Sequence, residues 1–63
     1  MKRVFAVDIE MRDGGQWIEW SQRNVIAPDA ESAARIALKA ERKTFTGRQF
    51  PVRAYGVKAI AKL

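Results

Sequence analysis

The sequence predicts an α+β domain of order ββαβ, a three-stranded antiparallel sheet (strand order 2-1-3) with one helix packed on one face. Three observations carry this. Phe5, Val7, Ile9 and Met11 alternate with Ala6, Asp8 and Glu10, the period-two pattern of a half-buried strand. Asp13-Gly14-Gly15 supplies the positive φ values of a tight hairpin turn, so a second strand returns antiparallel. One stretch, Ala30 to Lys43, repeats small apolar residues at helical spacing. A helix crossing from strand two to strand three in the right-handed sense leaves strand one in the middle and one sheet face open.

The first strand is expected over Val4–Met11 and the second over Gln16–Ile26. In the second, Ile18 and Trp20 are expected in the core and Trp17 on the opposite face. Gln22 and Asn24 would then follow them inward, so a bulge near Gln22–Asn24 is expected to re-aim Val25 or Ile26. Asp29 is suited to cap the helix N-terminus, and Glu31 complements its dipole. Ala30, Ala33, Ala37 and Ala40 form the expected sheet-facing stripe, flanked by Ile36 and Ala34, with Phe5, Ile9 and Trp20 supplying most of the core volume. Glu41 falls near that stripe and is expected at a frayed helix end. Thr44 to Phe50, holding Gly47, reads as a loop, and Pro51 opens a last strand over Val52–Leu63. On the open face, Asp8 and Glu10 are expected beside Arg23 and Lys58 of the outer strands.

A chain of 63 residues makes one domain, residues 1–63. At this size folding buries only about 60% of the unfolded chain's surface, so a staple is useful. Cys and His are both absent, so no disulfide, zinc site or other cofactor is expected, and a partner is the remaining staple. A homodimer through the sheet edges is one form of it. Met1-Lys2-Arg3 is followed by Asp8 and Glu10 rather than an apolar run, which is not a signal peptide, and no stretch approaches the ~18 apolar residues of a membrane span. A cytoplasmic location without membrane contact is the expectation.

Without His or Cys the usual nucleophile–base pairs are not available. Asp8 and Glu10, two apart on one strand face, are the remaining acid pair and read as a solvated face balanced by neighbouring cations. No catalytic residue and no metal ligand is therefore assigned, and the chain reads as a non-enzymatic binding module.

Its charge is divided. Residues 1–34 carry four cations and six carboxylates, a net −2, while residues 35–63 carry eight cations against Glu41 alone, a net +7. Arg35, Lys39 and Arg42 line the outer helix face, Lys43 and Arg48 continue into the following segment, and Phe45 and Phe50 are interleaved with them. Cations that neutralise phosphates beside rings on which bases stack suit single-stranded or loop nucleic acid, RNA more than DNA. The candidate nucleic-acid site is Arg35, Lys39, Arg42, Lys43, Phe45 and Arg48; an acidic protein is the other partner this charge suits. The alternative function is a protein-interaction module, such as a small phage-type inhibitor or adaptor or a sheet-mediated homodimer. Trp17, Val4 and Ile60 are its candidate interface, expected with Val25 on the open face, unless Trp17 packs locally over the hairpin end.

Phe5-Ala6-Val7, Trp17-Ile18-Glu19-Trp20 and Ala27-Pro28-Asp29-Ala30-Glu31-Ser32-Ala33 resemble the archaeal ribosomal protein LX family. That resemblance implies a short, basic strand–strand–helix–strand protein bound to large-subunit RNA.

Overall fold

The computed structural model describes residues 1–63 and contains β1 (Arg3–Asp13), β2 (Gln16–Ala27), α1 (Ala30–Glu41), α2 (Phe45–Gln49) and β3 (Val52–Lys62). The sheet order is β2-β1-β3, both pairs antiparallel, with the helices on one side. This is the α+β, ββαβ arrangement expected from the hydrophobic alternation and the turn. Gly14 and Gly15 lie at φ 61° and 85°, and the two-residue turn they form is closed by the Asp13–Gln16 pair. Two successive positive φ values are what a type I′ hairpin requires, and only glycine adopts them without a Cβ penalty.

Phe5, Val7, Ile9 and Met11 are all buried and form the spine of the core. Ala27, Ala33, Ala37 and Val52 complete it, and Val25, Leu38, Phe50, Ala54 and Val57 pack around its rim. The helix stripe that meets the sheet is Ala33, Ala37 and Glu41, four residues apart; Ala30 is exposed and Ala40 half-buried. The expected stripe is thus rotated, because Leu38 and Ala34 flank the contact while Ile36 faces outward. Asp29 caps α1 as expected, its Oδ1 accepting from the Ser32 N–H at 2.7 Å. That backbone donor holds the Asp29 carboxyl below its usual value, with the Ser32 side chain adding to the effect.

The core differs from expectation in β2. Ile9 pairs with Ser21 and Glu10 with Glu19, so Trp20 is the extra residue of a bulge, not a residue between Gln22 and Asn24. The bulge reverses the facing of everything after it. Ser21, Arg23 and Val25 turn to the helix side, and Trp20, 46% exposed, lies outside the core it was expected to fill. Ile18 pairs with Met11 but sits beyond the helices, so it remains 39% exposed.

Glu41, expected at a frayed end, is 3% exposed and is the only buried charged residue. Its Oε1 accepts from Ser21 Oγ at 2.9 Å and from Arg23 Nε at 3.0 Å, and Thr44 Oγ1 lies 3.4 Å from Oε2. Arg23 is therefore not beside Asp8 on the open face; the bulge has turned it to the helix. Burial raises the Glu41 carboxyl, but hydrogen bonds from Arg23 and Ser21, the Arg23 charge and the Thr44 hydroxyl outweigh it and leave the group below its usual value.

The segment expected as a loop contains α2. Thr44 caps it, its Oγ1 accepting from the Gly47 N–H at 3.0 Å while donating to the Glu41 carbonyl at 2.7 Å. Gly47 lies directly on the last turn of α1: a Cβ there would fall on the Glu41 carbonyl and 2.9 Å from Arg42 Cα. No helix is long and apolar enough to cross a membrane.

Candidate nucleic-acid interface

The six residues singled out in the sequence lie on the helix side of the molecule. Arg35, Lys39 and Arg42 follow one another at spacings of four and three, so they share the face of α1 opposite the Ala33–Ala37–Glu41 stripe. Arg42 is the C-cap, where its charge opposes the negative end of the helix dipole. Lys43 follows in the turn, Phe45 begins α2 and Arg48 lies in its last turn. Docking of α2 through Gly47 and Thr44 keeps Phe45 and Arg48 at the same end of the molecule as Arg42 and Lys43.

All five cations are exposed and none makes an ion pair; of the 12 cations only Arg23 and Arg53 do. Phe45 is 72% exposed, whereas Phe50 packs on the core rim. The two rings therefore separate: Phe50 packs at the rim of the core, and Phe45 is exposed at the start of α2, two residues after Lys43.

The other candidate residues do not form one patch. Val4 pairs with Ile26 and Ala61 at one end of the open face, and Ile60, 49% exposed, is the extra residue of a β3 bulge beside them. Trp17 pairs with Arg12 at the other end, about 26 Å away along β1. Trp17 is half-buried beneath Arg53, whose guanidinium carbon lies 4.0 Å from the ring centroid. Val25 belongs to the core rim.

The centre of that face escaped the sequence reading. Arg53 Nε reaches Glu10 Oε1 at 2.8 Å, Gln22 Nε2 donates to Asp8 Oδ1 at 2.8 Å, and Tyr55 O–H donates across β1 to Glu19 Oε1 at 3.2 Å. Asp8, Glu19, Trp20, Ser21, Gln22 and Tyr55 line an open depression of about 340 Å³. Partial desolvation raises the Tyr55 hydroxyl, and the charges of Glu19, Asp8 and Glu10 raise it further. A second register shift, between Asp8 and Ile9 on the β3 side, makes Tyr55 an extra residue of β3. Two bulges thus flank the central strand here, and no periodicity in the sequence announces either.

No family model, curated protein or solved structure matches the chain.

Proposed function

We propose that the chain is a single-stranded nucleic-acid-binding module, with RNA as its preferred ligand, acting through the outer face of α1 and the α1–α2 corner. The observation that carries this is a set of five exposed cations, none of them in an ion pair, along the outer face of α1 and into α2, with an exposed aromatic ring at the α1–α2 corner. Arg35, Lys39, Arg42, Lys43 and Arg48 neutralise phosphates, and Phe45 offers a face for one base to stack on. The opposite face is a poorer alternative for the same ligand, because Asp8, Glu10 and Glu19 balance Arg12, Arg53 and Lys58 there and leave it without net positive charge. The resemblance to a ribosomal family points to the same ligand class.

The test is fluorescence anisotropy with a labelled uridine strand of about ten nucleotides over a salt series. Five contacts at ~0.7 each set an upper slope of about −3.5 for log affinity against log salt. Reversing Arg42 and Lys43 to Glu is expected to lower affinity more than about tenfold and to flatten the slope by about 1.4, whereas reversing Arg12 and Lys58 on the open face changes it little. Absence of binding at low ionic strength would remove this function.

A further inference from the structure

The open sheet face carries three aromatic side chains and three carboxylates that the helix-side function does not use. At one place they already hold a cation: the Arg53 guanidinium lies over the Trp17 ring at 4.0 Å while its Nε meets Glu10 Oε1 at 2.8 Å. Ring beneath and carboxylate at the edge is the pairing a planar guanidinium favours.

The same two kinds of group recur further along the sheet. Trp20 and Tyr55, each 46% exposed, share the 340 Å³ depression with Asp8 and Glu19. There the carboxylates meet only neutral donors, Gln22 on Asp8 and Tyr55 on Glu19, and neither makes an ion pair. We propose that this depression docks an arginine side chain presented by a basic segment of a partner protein.

Charge complementarity selects the occupant. Two carboxylates and two rings lining one depression attract a cation and repel phosphate, and arginine combines stacking with carboxylate pairing where lysine supplies only a point charge. Apolar surface at the end of the face, Ile26 at 54% and Ile60 at 49% exposure beside Val4, is available to the rest of such a segment.

The two tryptophans report separately, so nitrogen–proton correlation spectra of the intact chain test the proposal. A glycine-flanked arginine peptide is expected to shift the Trp20 indole N–H saturably and leave that of Trp17, already under Arg53, nearly unmoved. Asp8→Asn with Glu19→Gln is expected to weaken the response about tenfold, and Trp20→Ala, followed by backbone shifts, about fivefold. Both variants change exposed or part-exposed groups, and dispersion of the spectra checks that they fold. Asp13→Asn with Glu31→Gln, an equal change in charge elsewhere, is expected to leave binding unchanged. The proposal fails if a citrulline peptide shifts Trp20 equally, if the Asp13/Glu31 control weakens binding as much, or if no saturable shift occurs at low salt. It also fails if sedimentation shows that the face is covered by a second copy.

Discussion

Glu41 concentrates the molecule's electrostatic risk in one side chain. A carboxylate this buried is tolerated because Arg23 and Ser21 donate to it and the Thr44 hydroxyl lies 3.4 Å from its second oxygen, and removing a donor differs from removing the charge. Glu41→Gln loses charge-assisted hydrogen bonds and is expected to cost about 1–2 kcal/mol. Arg23→Ala leaves the charge buried and is expected to cost about 3 kcal/mol, at the low end for broken buried pairs because Arg23 is itself part-exposed. The depressed Glu41 pKa determines the pH dependence. Its contribution is complete above the ordinary glutamate value of 4.5 and is lost as pH falls through the lower folded value. Denaturant titrations across that range check both points. The deficit of Arg23→Ala should narrow in acid as Glu41 takes a proton, and a deficit constant with pH would contradict the pairing.

At the scale of elements, α2 is the part that holds the basic corner in shape. Gly47→Ala would drive a Cβ into the α1 backbone, 2.6 Å from the Glu41 carbonyl carbon, and neither side can yield without α2 lifting away. The expected cost is about 1–3 kcal/mol. Hydrogen exchange locates the damage: the Arg48 and Phe50 amides, bonded to Thr44 and Thr46 oxygens, should exchange at least about tenfold faster while the middle of α1 is little changed. Unchanged protection would show that α2 is not held by that contact.

The elements the sequence revealed are those whose signals are local. Gly14-Gly15 announces the turn, alternation from Phe5 to Met11 announces β1, and Asp29 announces the start of α1. The outward cations of α1 follow from the same helical spacing, so the basic part of the candidate site was legible as well. What escaped depends on partners distant in sequence. Within Trp17-Ile18-Glu19-Trp20, alternation does not say which residue is extra, and that choice is coupled to Glu41 needing Ser21 and Arg23, 20 and 18 residues away. The five residues of α2 include a glycine, whose poor helix propensity reads as loop until its contact with α1 is known. Tyr55 and Trp20 meet Asp8 only because both outer strands bulge beside the same stretch of β1.

The whole molecule is a thin slab of 39 × 19 × 14 Å with a core cluster of 8 residues, so its stability is expected to be only about 3–6 kcal/mol. A ligand that binds only the folded state is therefore a large perturbation. At 100 times its dissociation constant it adds about 2.7 kcal/mol, and in a domain this small each kcal/mol moves the melting temperature by about 4–8 °C. Single-stranded RNA at that concentration should raise Tm by about 10–20 °C if the basic face is its site. Screening alone also relieves repulsion within a chain of net charge +5, so sodium sulfate at matched ionic strength is the necessary control. The shift should exceed that control in the native chain and collapse towards it when Arg42 and Lys43 are reversed to Glu. Because α1 is tied to β2 through Glu41, a ligand held at its C-terminal turn stabilises the sheet as well as the helices. Thermal melting should then remain one transition in the presence of RNA, and a second, unshifted transition would mean that the basic corner unfolds apart from the sheet.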